Sequence, residues 1–297
     1  MVSQVCNICP RNCNVDRSTK VGFCGMLSEI KVAKAYLHEW EEPCISGSRG
    51  SGTVFFTGCN LRCVFCQNYK ISQENFGISV STEKLADIFM NLEKSGAHNI
   101  NLVSPTIYIP KIKESIIIAR NKGLSIPIVY NSNAYENVES LKTLDGLIDI
   151  YLPDLKYYSD ETAIKYSKAP HYFEYATKAI LEMYRQVGNP VFDDEGMMKR
   201  GMIIRHLILP GKLDETKEIL KWISDNLPKE IYVSLMGQYI PYFKAYKYSE
   251  INKKISKKEY EEAIEYFFEI GLENGYVQDD ESASTNFIPD FDLKGVL

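Results

Sequence analysis

Residues 51–68 read SGTVFFTGCNLRCVFCQN. The stretch Thr53–Thr57 is apolar and β-branched without polar alternation, the pattern of a strand buried on both faces. Directly after it, three cysteines fall within eight residues, Cys59-x3-Cys63-x2-Cys66. Three thiolates this close converge only if the backbone wraps around a common centre. A structural zinc site takes four protein ligands, so three leave a coordination position open. A 4Fe-4S cluster normally takes four cysteines, so three leave one iron free for an outside ligand. An open position at the C-terminal end of a buried strand lies where α/β proteins place their active sites.

Working outward, short apolar runs recur at Ile100–Val103, Ile126–Tyr130, Ile148–Leu152, Met202–Leu209 and Ile231–Met236. Helical stretches separate them. Glu83–Lys94 puts Leu85, Ile88, Phe89 and Leu92 on one face, and Lys111–Asn121, His171–Val187 and Asp214–Asn226 also read as helices. Ser256–Ile270 follows the last strand, with Ser256 and Glu259 at capping-box spacing. Thr82 is expected as an N-cap, and Gly123, Gly188 and Gly271 at C-caps. Asn189–Lys199 reads as a loop insertion and Gln278–Asp292 as an irregular acidic tail.

Six β/α alternations predict a parallel α/β architecture. Six units fall short of a closed eight-unit barrel, leaving an open, partial (β/α)6 barrel of the TIM type or a doubly wound sheet; we take the partial barrel. The expected organisation is a cysteine-rich metal-binding extension over residues 1–50, the barrel over 51–245, and a C-terminal helix and tail over 246–297.

Of 297 residues, 34 are Lys or Arg and 39 are Asp or Glu. The resulting pI near 5.6 argues against a nucleic-acid surface, which shows as a basic excess. No apolar run reaches the ~18–20 residues of a membrane span, and MVSQVCNICPRNC lacks the apolar core of a signal peptide; the expected location is the cytoplasm. All eight cysteines lie at or before residue 66. A disulfide framework needs an oxidising compartment, whereas clustered thiols in a reduced one are metal ligands.

The C-x3-C-x-aromatic-C pattern, with Phe65 before the last cysteine, resembles the radical S-adenosylmethionine (SAM) superfamily. ISGSRGSGTVFFTGCNLRCVFCQN, NLVSPT, YNSNAY, YLPDLKYY, RHLILPG and MGQYIPY are similar to the branch related to pyruvate formate-lyase activating enzyme. The resemblance implies a 4Fe-4S cluster on Cys59, Cys63 and Cys66 with SAM at the open iron. One electron, from a flavodoxin- or ferredoxin-type donor under oxygen-free conditions, would cleave SAM to a 5′-deoxyadenosyl radical that abstracts hydrogen. The implied substrate is a glycine of a partner glycyl-radical enzyme, or else another protein, a peptide or a small molecule. The chain contains no Arg-Val-x-Gly-Tyr segment of its own. A reading of another class is a non-catalytic iron–sulfur electron-transfer or scaffold protein.

Matching by position implies further cofactor contacts. Ser104 and Thr106 stand in place of the family's Gly-Gly-Glu turn, with Ile107 where related sequences carry His; otherwise SPT is a helix cap. Asn131, Ser132, the Leu152 carbonyl and Asp154 form an oxygen-rich set for the methionine carboxylate and a monovalent cation. Lys156 offers a point charge, against the alternative that Asp154 and Lys156 are a surface ion pair worth about 0–1 kcal/mol. Arg205 is expected at the ribose or carboxylate, or paired with an acid inside the barrel. Gln238 and Tyr239 fall on the adenine side. His38 and His171 receive no role, and Lys253–Lys258 reads as a solvated helix start.

A second set, Cys6-x2-Cys9-x3-Cys13-x10-Cys24, has Pro10 and Gly22 to bend the chain. Four thiolates close a tetrahedral site that accepts zinc or an auxiliary iron–sulfur cluster; the bland alternative is four reduced cysteines in a loose arm. Cys44 is left over as a packed thiol.

Overall fold

The structure is a computed structural model that describes residues 5–277 and 289–297. Most of the expected acidic tail, 278–288, lies outside the described residues. The strands are β1 (Ile30–His38), β2 (Ser51–Phe56), β3 (Ile78–Val80), β4 (Ile100–Val103), β5 (Ile128–Ser132), β6 (Ile150–Pro153), β7 (Val191–Phe192), β8 (Met198–Leu207), β9 (Tyr232–Met236) and β10 (Gly275–Val277). One sheet runs in the order β10-β9-β8-β6-β5-β4-β2-β1-β3, with β7 attached to β8.

From β2 through β4, β5, β6, β8 and β9 to β10, every neighbouring pair is parallel. These strands sit side by side in chain order. A doubly wound sheet would instead reverse its order at a switch point, so this is the partial TIM-type barrel. The six expected strands are present, with ends shifted by a few residues.

Sequence reading missed β1. It pairs antiparallel with β2 on one side and β3 on the other, so it belongs to the sheet rather than to the extension assigned to residues 1–50. Its pattern, IKVAKAYLH, lacks clean alternation because both faces are covered. Residues 290–294 run along its edge beyond β3, with Ala35 N donating to Lys294 O (2.9 Å), Leu293 N to Ala33 O (3.1 Å) and Lys34 Nζ to Asp290 O (2.5 Å). Two smaller expectations are corrected. Ser81, not Thr82, caps Thr82–Lys94, because it is the Ser81 hydroxyl that accepts from Lys84 N. The insertion at 189–199 is a ribbon, since Val191 and Phe192 pair antiparallel with the start of β8. The capping box of Ser256 and Glu259 is present on Lys257–Glu269.

Strand periodicity divides the barrel interior into two layers. Every second side chain points inward, so Val129, Ile150 and Ile203 pack with Cys44 and Ile45 in an apolar lower layer. Continuing up the same faces come Asn131, Asp154 and Arg205, which line a cavity. The outward-facing positions, such as Tyr130, Tyr151 and Ile204, join the main core beneath the helices.

Gly58 launches the cysteine loop from β2. It adopts φ +86°, where an added Cβ would stand 2.3 Å from Met26 Cγ and 3.0 Å from Ile107 Cδ1. Gly58→Ala therefore combines a left-handed backbone penalty with overpacking. We expect a loss of about 2 kcal/mol or more, read from urea unfolding midpoints; an unchanged midpoint would show that the turn relaxes freely.

Candidate active site

A cavity of about 490 Å³ opens at the C-terminal ends of the parallel strands. Cys63, Phe65 and Cys66 come to it from the loop after β2. Asn131, Asp154, Lys156, Arg205, Gln238 and Tyr239 come from strand ends, and His38, Trp40 and Glu41 from the end of β1.

The three thiols are partly buried, and each sulfur has a hydrogen-bond partner. Leu61 N (3.3 Å) and Asn133 Nδ2 (3.4 Å) donate to Cys59 Sγ. Ser167 Oγ donates to Cys63 Sγ (2.9 Å), and Ser72 Oγ lies 3.3 Å from Cys66 Sγ. Burial pushes the Cys59 thiol up to about 11 and Cys66 to about 12, and raises Cys63 against the pull of Lys156. Buried thiols of this kind ionise when metal replaces the proton, and donors aimed at the sulfurs suit anionic cluster ligands. The donor set therefore fits a cluster. Cys59 stands behind the cavity, while Cys63 and Cys66 line it.

Arg205 organises the floor. Its Nε donates to Asp154 Oδ1 (2.9 Å), one terminal nitrogen to Glu41 Oε2 (3.0 Å) and the other to Asn131 Oδ1 (2.5 Å). Lys156 Nζ meets the second Asp154 oxygen at 2.7 Å. Burial pushes the Asp154 carboxyl up, but Lys156 and Arg205 outweigh it and hold it below the usual range. Burial likewise pulls Lys156 down, and Asp154 and Cys63 more than restore it. The pair is thus interior: their side chains are 16 % and 18 % exposed, not the surface contact that was the alternative. Both Asp154 oxygens have cationic partners here, Lys156 on one and Arg205 on the other.

The three expected hydroxyl side chains are not among those lining the cavity. Thr106 Oγ1 donates to Glu136 Oε1 (2.6 Å), Ser132 Oγ accepts from Ala134 N (3.1 Å), and Ser104 makes a turn at φ +59°. Sequence reasoning missed Glu41, which also accepts from Asn101 Nδ2 (2.9 Å); the only signal was the EWEE run before Pro43. It also passed over His38, which is buried beside the Tyr36 hydroxyl (2.6 Å) and pushed down to about 4 by desolvation. His171 lies at the surface against Asp160.

Comparisons with known proteins agree with this architecture. Residues 53–223 match the Radical SAM superfamily, so the chain belongs to that superfamily. An uncharacterized protein of Methanocaldococcus jannaschii is 34% identical over 88% of this chain and 73% of its own length. The pyruvate formate-lyase-activating enzyme of Staphylococcus epidermidis is 22% identical over 63% of this chain and 74% of its own. Among solved structures, Streptococcus suis SuiB bound to S-adenosylmethionine superposes with a TM-score of 0.52 at 14% identity, over 74% of this chain and 48% of SuiB. That likeness is one of fold, and this chain spans about half of SuiB. Membership implies a 4Fe-4S cluster and SAM. Among the described residues, no helix is long and apolar enough to cross a membrane.

Two predictions follow from the site's electrostatics. Arg205→Leu takes the cation from Glu41 and leaves Asp154 to Lys156 alone, and should cost about 3–5 kcal/mol in chemical denaturation. Arg205→Lys should recover only part, because one ammonium cannot reproduce the three-way fork. Glu136 is fully buried with its Oε2 unpartnered, and desolvation lifts it to about 7. A raised carboxyl contributes its stability at low pH and loses it as pH climbs from the unfolded value near ~4.3 through the folded one. Wild-type protein should lose up to about 3 kcal/mol between pH 5 and pH 8 through this group, and Glu136→Gln should flatten that slope. An identical slope in the two proteins, measured by urea unfolding, would assign the titration elsewhere.

Proposed function

We propose that the chain is a radical SAM enzyme with its cluster on Cys59, Cys63 and Cys66, acting as an activase that generates a glycyl radical in a partner enzyme. The observation that carries the reading is the meeting, in one cavity at the strand ends, of Cys63 and Cys66 with the Asp154–Arg205–Lys156 array. When bound, the cluster supplies the electron that cleaves SAM to methionine and the 5′-deoxyadenosyl radical.

The chain's own residues bind and orient. Lys156 and Arg205 offer positive charge to the methionine carboxylate, and Asp154 and Asn131 offer oxygens to its ammonium. Phe65 and Tyr239, packed edge to face at 5.6 Å, give an apolar wall on the adenine side and exclude water from the reacting centre. Asn133, Ser167 and Ser72 fix the cysteine sulfurs. The partner class is supported by the similarity to the Staphylococcus epidermidis activating enzyme, and a flavodoxin- or ferredoxin-type protein is the proposed donor.

Anaerobically reconstituted protein given SAM and dithionite should release 5′-deoxyadenosine, and Cys63→Ala should abolish this. Asp154→Ala should weaken SAM binding by about tenfold or more, the value of one charge-assisted contact, with iron content unchanged. No 5′-deoxyadenosine from the wild type would leave an electron-transfer or scaffold protein. A glycyl signal in electron paramagnetic resonance of a co-incubated candidate partner tests the activase reading; turnover stimulated only by small molecules or peptides would replace it.

A further inference from the structure

The thiols at the N-terminus are gathered by a defined fold rather than carried on a loose arm. Cys6 N donates to Val15 O (2.9 Å) and Asn14 N returns to Cys6 O (3.1 Å), while Asn12 N closes a turn on Cys9 O (3.1 Å). Asn12 and Asn14 take left-handed conformations, φ +40° and +52°, which sharpen the turn around Cys9 and Cys13. A second turn, Gly25 N to Gly22 O (2.9 Å), brings in Cys24, and Phe23 N donates to Cys13 Sγ (3.3 Å). A Cβ on Gly22 would stand 3.4 Å from Cys13 Sγ and 3.6 Å from Cys24 Sγ, so the glycine leaves the space these two sulfurs share. Cys9 and Cys24 are both buried, and each lies within electrostatic reach of Cys6 and Cys13.

The surroundings are cationic. The Arg11 guanidinium acts on both Cys9 and Cys59 and donates through Nε to Asn60 O (2.7 Å). Arg17 acts on Cys24 and donates to Ile107 O (2.6 Å). Arg62, inside the catalytic loop, donates to Phe23 O and to Cys59 O. Positive charge is what four thiolates need in a partly desolvated place.

Four thiolates fill a tetrahedral zinc site and equally cap the four irons of a 4Fe-4S cluster. Position favours the cluster. Arg11 acts on both Cys9 and Cys59, and Arg62 donates to Phe23 O and Cys59 O, so the site abuts the catalytic cysteine loop, where a redox centre can exchange electrons and zinc, which has no redox chemistry, cannot.

We propose that Cys6, Cys9, Cys13 and Cys24 hold a second, fully cysteine-ligated 4Fe-4S cluster, joined to the catalytic cysteine loop through Arg11 and Arg62. Cys44 is not part of it; that thiol packs against the lower barrel layer.

The test is iron and sulfide analysis after anaerobic reconstitution with iron and sulfide. The Cys59→Ala/Cys63→Ala/Cys66→Ala protein should retain about four irons and four sulfides per chain, and the wild type about eight of each. Cys9→Ser/Cys24→Ser in the wild-type background should fall to about four. A wild type with only about four irons, or a triple variant holding one zinc or no metal at all, would overturn the proposal. The wild-type count decides the matter even where a variant fails to fold, and it does not depend on which substrate the catalytic site takes.

Discussion

The buried Arg205 guanidinium is the interaction on which the rest of the cavity depends. It sits on β8, reaches Asp154 beyond β6 and Asn131 on β5, and takes Glu41 from the chain that leaves β1. Four segments, distant in sequence, are thereby fixed at one point. Desolvating a guanidinium is expensive, and three hydrogen-bonded oxygens from three residues are what make it tolerable. The arrangement also sets the local charge. At the cavity floor two cations, Arg205 and Lys156, meet two carboxylates, Asp154 and Glu41, and a site that presents both signs suits a ligand carrying both a carboxylate and an ammonium.

The two-layer interior explains how a stable barrel holds so polar a site. Strand alternation puts Val129, Leu152 and Ile203 one step below Asn131, Asp154 and Arg205. The apolar layer, with Cys44 and Ile45 between the strands, closes the interior beneath the cavity. Lowered dielectric from this layer strengthens the ion pairs above it.

Much of this was legible from local pattern. The strand-to-cysteine transition at residues 53–66 carried the class, and parallel strands announced themselves as continuous apolar runs. What escaped was non-local. β1 hides because its partners are β2, β3 and a segment near residue 292, so no short window reveals why Lys31 and Lys34 belong in a strand. Glu41 escaped for the same reason, since its role comes from Arg205, 164 positions away. Thr106 and Ser132 looked like ligand contacts by position, but a hydroxyl pattern cannot say that Glu136 and Ala134 N have already engaged them.

The segment along the edge of β1 gives the site a place in the timetable of synthesis. Residues 290–294 hydrogen-bond to the strand whose end carries His38 and Glu41 into the cavity, and Phe291 packs against Phe55 at 5.6 Å. Ribosomes add about 5–20 residues per second, so tens of seconds separate emergence of β1 from that of this segment. During that interval the cysteine loop is already outside the ribosome while that edge of β1 is unpaired. The β1 side of the cavity wall is completed only once residues 289–294 have emerged and docked.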